Sequence, residues 1–171
     1  LAFKAPSFMD EDRYAAVILN NILGSDVNSR LFQTVRENNG LTYSVCSYPS
    51  SFSDTGLLHI YAAMNETQYK KVYSLIEDII YKLNEKGITA SELNDAKKQT
   101  IVEMTLSQDS TASRMSANAK RVIYNVNNES FDERIKRIND VTKSDVNKLI
   151  RKYLKMEEMS KGIIGPMNLN I

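Results

Sequence analysis

The sequence predicts an α+β fold: a mainly antiparallel sheet with helices packed on one face. Two adjacent segments rich in Tyr, Val, Ile and Leu are joined by the short polar run around SSFSDTG, which is the pattern of an antiparallel hairpin. Strands and helices do not alternate regularly, which argues against a doubly wound sheet. Each helical segment carries a single apolar stripe, so the helices cover one sheet face and leave the other to solvent or a partner.

In chain order, LAFKAPSF alternates Phe3 and Ala5 against Lys4 before Pro6 and reads as a first strand. It has no turn before it, so the 171 residues are expected to be a single α+β domain that begins inside a longer fold. From Asp10 to Leu23, Tyr14, Ile18 and Ile22 recur at four-residue steps, a buried helix that Gly24 should terminate. A short helix follows, capped at Asn28 or Ser29, with Leu31, Phe32 and Val35 on one face and Asn39-Gly40 as a left-handed ending. LTYSVCSYPSSF and TGLLHIYAAM form the hairpin.

Asn65 is placed to cap a long helix in which Tyr69, Val72, Tyr73, Ile76, Ile79, Ile80 and Leu83 keep the helical period up to Lys86-Gly87. Thr89 to Glu92 is a capping box, opening a helix to about Leu106; SQDSTAS then breaks it. Further helices are expected over Thr111–Tyr124, Phe131–Ile138 and Ser144–Leu154, and the closing SKGIIGPM reads as a short strand.

Composition narrows the chemistry. Lys plus Arg total 22 and Asp plus Glu 21, a formal charge of +1, so no general field attracts nucleic acid or anionic membrane, and neither is an expected partner. Hydrophobic residues at 42% and charged residues at 25% place the chain among folded globular proteins. One cysteine, Cys46, and one histidine, His59, do not supply the several His or Cys ligands of a zinc hydrolase, so no metal ligands are expected in this chain. Glu92 and Glu103 lack the paired histidines that ligation would need. No G-x-S-x-G elbow accompanies His59. With no membrane span and no leader pattern visible, the expected location is cytoplasmic.

The most informative run is Ser29 to Val45: Arg30, Leu31 and Phe32 open a helix that ends in Arg36-Glu37, and Gly40, Leu41 and Tyr43 lead into a strand. Read alone, Arg36 complements the C-terminal end of its helix or pairs with an acid, and Tyr43 is a core strand residue. His59 reads as a structural or surface histidine and Cys46 as a small buried hydrophobe.

The run resembles the signature of the non-catalytic half of the insulinase or pitrilysin family of zinc metallopeptidases, which includes mitochondrial processing peptidase and bacterial processing proteases. The upstream Leu23-Gly24, Ser29, Arg30, Leu31 and Phe32 match as well. The resemblance implies a clamshell of two α+β halves enclosing a chamber for unfolded peptide, with zinc held by an H-x-x-E-H motif in the other half. That motif is absent here. It further implies that Arg36 and Tyr43 contact the bound peptide, that Arg30, Leu31, Phe32, Glu37, Gly40 and Leu41 support them, and that no catalytic residue lies in this segment. The implied partners are a peptide substrate, the catalytic half of the same chain or a sister subunit, and a second copy of the chain through the open sheet. An inactive peptidase-like subunit, or a peptide-binding scaffold without zinc, is the alternative. Ser25-Asp26-Val27-Asn28 replaces the glycine- and serine-rich approach usual in the family, and Asn38-Asn39 stand where charged residues are common.

Overall fold

Residues 44–51 and 56–63 form the hairpin the sequence predicts, and it organises the domain. The computed structural model describes residues 1–125 and 129–165. Strands β1 (Ala2–Ala5), β2 (Ser44–Ser51) and β3 (Gly56–Ala63) make one antiparallel sheet in the order β1-β3-β2. The register sets Phe3 opposite Leu58, Ser47 opposite Ile60 and Tyr48 opposite His59. Side chains alternate across a strand, so Phe3, Val45, Leu58 and Ile60 are buried under helices while Lys4, Cys46, Tyr48, His59 and Tyr61 occupy the open face. Cys46 is therefore half-buried opposite Tyr61, not a core hydrophobe. His59 stacks on Tyr48 at 4.9 Å between ring centres, which places it on the open face.

Among the described residues, six α-helices lie on the other side: α1 (Arg13–Asn20), α2 (Tyr69–Lys86), α3 (Ala90–Ser107), α4 (Thr111–Ile123), α5 (Phe131–Asp140) and α6 (Lys143–Tyr153). Phe3, Ile18, Leu23, Leu31, Ile80, Leu83, Leu149 and Ile150 are fully buried and tie the helices to the sheet. Capping boxes at Thr89, Ser130 and Thr142 start α3, α5 and α6, each hydroxyl accepting the amide three residues on.

Four expectations are corrected. Helix α1 begins at Arg13, and Gly24 does not stop it; the helix widens into a π-type turn over Asn21–Ser25 that contains Gly24. Glycine is needed there because a Cβ would sit 2.6 Å from the Ser47 amide nitrogen and 2.7 Å from Leu31 Cδ1. The strand expected from Leu41 starts at Ser44, so Tyr43 lies in the bend before it and is 87% exposed, not core. Phe32 does not pack with Leu31 and Val35: those two are fully buried, whereas Phe32 is half-buried beneath a guanidinium. The closing strand contracts to one bridge, Ser160 to Ala2, and residues 161–165 belong to no strand; residues 166 and 167 of that expected strand lie outside the described residues.

Candidate functional site

The site is built by the turn between a distorted helix and β2. After a helical start at Arg30-Leu31, Phe32–Glu37 winds as a π-type segment, which brings Phe32 and Arg36 onto one side. Gly40 adopts φ 59°, and the amides of Gly40 and Leu41 close onto the carbonyls of Arg36 and Val35 at 2.9 and 3.1 Å. The chain thereby reverses and returns Tyr43 to Arg36. The guanidinium carbon lies 4.7 Å from the Phe32 ring centre and 5.3 Å from that of Tyr43, a cation held between two aromatic faces.

No hydrogen bond or ion pair engages the Arg36 guanidinium among the described residues, so its N–H donors are free to meet a ligand, and the Tyr43 hydroxyl stands in solvent beside them. The ion-pair reading of Arg36 is thereby set aside. Glu37 is exposed at the end of the segment and Leu41 is half-buried against the core.

Arg30 supports this segment from below. Its Nε and Nη2 donate to the two Glu92 carboxylate oxygens at 2.7 and 3.0 Å, and Nη2 also reaches the Gly87 carbonyl at 3.1 Å. Glu92 simultaneously accepts the Thr89 amide at 2.7 Å, so one carboxylate closes the capping box and fastens the Arg36 segment to the start of α3. The 62-residue separation hides this tie from any local sequence pattern. Burial pushes the Glu92 carboxyl up, but the hydrogen bonds from Arg30 and Thr89 outweigh it and hold it below the ordinary glutamate value. A carboxyl lowered in the folded state stabilises above the unfolded value of about 4.3 and loses that contribution as pH falls through the folded value. Glu92→Gln is expected to lower the urea midpoint at pH 7, with the gap to the unsubstituted protein closing at pH 3; a gap of equal size at both pH values would contradict it.

A profile of the peptidase M16 inactive domain matches residues 1–100. The chain belongs to the peptidase M16 inactive-domain family. Among curated proteins, an uncharacterized zinc protease of Bacillus subtilis, YmxG, is 39% identical over 97% of this chain and 40% of its own length. An uncharacterized zinc protease of Streptomyces coelicolor is 36% identical over 92% of this chain and 34% of its own length. The chain thus spans about two fifths of the curated relatives it matches. A peptidase M16 inactive domain from Pseudomonas fluorescens superposes with a TM-score of 0.80 at 23% identity, covering 92% of this chain and 37% of that one. An inactive peptidase domain from Bordetella parapertussis gives 0.79 at 14% identity, covering 99% and 92%. These likenesses show the α+β fold.

The names of the relatives point to zinc. The described residues contain no cluster of three or more His, Cys, Asp or Glu that could hold a metal, and the single histidine is stacked on Tyr48. Residues 1–171, expressed alone and dialysed, are expected to hold far less than one zinc per chain by atomic absorption; a stoichiometric, tightly held zinc would contradict this.

Proposed function

We propose that this domain is the non-catalytic, substrate-contacting portion of a zinc-dependent endopeptidase acting on peptides or unfolded segments. Zinc is held outside this chain, in the remaining three fifths of a parent of the relatives' length. The observation that carries the reading is the Arg36 guanidinium, held against Phe32 and Tyr43 with its donors free, in the turn that leads into β2. A planar cation and a phenol, both held by the backbone reversal at Gly40, can donate to the carbonyl oxygen of a peptide bond. That oxygen gains negative charge as the bond is attacked, so donors already in place strengthen as the reaction proceeds without rearranging. Phe32 and Tyr43 keep the guanidinium from collapsing onto a surface carboxylate, which is the service an aromatic sandwich can render a cation.

Cross-linking tests the contact itself. A substrate peptide bearing a diazirine beside the scissile bond, irradiated with the zinc-stripped full-length protein, should label the segment spanning residues 36–43. Labelling found only elsewhere in the protein would overturn the assignment.

A further inference from the structure

Away from Arg36, helix α4 bridges an open cavity of about 710 Å³ between itself, β1, α1 and α6. The cavity exists because α4 turns the wrong residues inward. Ala112, Ser113, Ser116 and Ala117 recur on one helical face and line the space without filling it, whereas Met115, Val122 and Ile123 are 68%, 80% and 75% exposed. No residue of α4 is buried. The opposite wall is apolar, formed by Phe8, Val17, Leu58 and Leu149.

The polar end of the cavity is cationic. Arg13, Lys120, Arg121 and Arg134 line it, against one carboxylate, Glu129. Glu129 is already engaged: it accepts from Arg13 Nη2 at 3.0 Å and from the Tyr14 hydroxyl, and Arg137 stands 3.8 Å away. Arg134 is left over. Its Nε is buried with no hydrogen-bond partner among the described residues, and the neighbouring Arg121 charge adds to burial in pushing its pKa down. Arg121 and Arg134, neighbouring guanidiniums with no ion-pair partner among the described residues, leave this end of the cavity short of one anion.

We propose that this cavity binds a small amphipathic acid, an aliphatic carboxylate of fatty-acid type whose head meets Arg121 and Arg134 and whose chain lies along Phe8 and Val17. Volume and lining match the usual ligand site, mostly apolar with a few convergent polar groups. A carboxylate answers the adjacent charges of Arg121 and Arg134 at the cationic end, and the chain covers apolar wall that the small residues of α4 leave open. This proposal is independent of the peptidase reading.

Titration calorimetry on the full-length protein, with dodecanoate as probe and dodecanol and acetate as controls, tests it. The expected result is saturable binding of one dodecanoate per chain, no measurable acetate binding, and dodecanol weaker by about tenfold or more. Arg134→Gln and Arg121→Gln, each confirmed folded by circular dichroism, should each weaken dodecanoate by about tenfold and leave dodecanol unchanged. Ala117→Phe, which fills the cavity from α4, should abolish both. Equal affinity for acid and alcohol, many bound molecules per chain, no binding at all, or dodecanoate affinity unaffected in both arginine variants would each overturn the proposal.

Discussion

Arg36→Ala in the full-length protein is expected to lower kcat/KM by about 10²-fold to 10³-fold, the usual cost of losing one preorganised donor to a developing oxyanion. Its melting temperature should stay within a degree or two of the unsubstituted protein. The separation follows from where Arg36 sits. Its guanidinium lies against the Phe32 and Tyr43 rings, outside the core, and has no hydrogen-bond or ion-pair partner among the described residues, so truncation opens no core cavity and strands no buried charge. The reversal that shapes the site belongs to the backbone, held by the amides of Gly40 and Leu41, and does not need the side chain. Arg36→Lys should recover little activity, because an ammonium keeps the charge but loses the planar fork that stacks between two rings. Steady-state kinetics alongside thermal melting of the same preparations check both halves of the expectation.

The second large effect is on stability. Leu31→Ala should cost about 2–5 kcal/mol, read as a fall in the urea midpoint with an unchanged slope. Leu31 is fully buried in the core, and its Cδ1 lies 2.7 Å from where a Cβ on Gly24 would stand, so the space it vacates is walled by backbone that cannot easily collapse. Phe32→Ala, at the next position, should cost less, since its ring is half-buried and serves Arg36 instead of the core. Equal losses for the two substitutions would mean that Phe32 carries packing after all.

The contrast between Leu31 and Phe32 marks where local pattern stops being informative. Periodicity located the hairpin, α2 and the Thr89–Glu92 capping box, because each rests on interactions within a few residues or one repeated face. It assigned Phe32 to the core because a regular helix would place it beside Leu31 and Val35; the π-type winding of Phe32–Glu37 rotates the face. Tyr43 was legible as a motif residue but not as an exposed one, since alternation with Leu41 and Val45 mimics a strand that in fact begins only at Ser44. Gly24 looked like a terminator because glycine commonly is one; its requirement here comes from Ser47, on a strand that follows more than twenty residues on. The Arg30–Glu92 tie and the Arg13, Tyr14 and Glu129 cluster join residues too distant for any spacing rule.

The central claim, that this domain contributes donors to the transition state and not merely bulk to a fold, is tested most directly by Tyr43→Phe in the full-length protein. The substitution removes one exposed hydroxyl and leaves the ring that Arg36 stacks upon, so the fold and the cation's position should persist. Initial rates across a range of peptide concentration, normalised to folded protein, separate kcat from KM. The account predicts that kcat and kcat/KM fall together while KM stays within about twofold. Unchanged kcat and KM per folded molecule would contradict it and return Tyr43 to the surface of an otherwise passive domain.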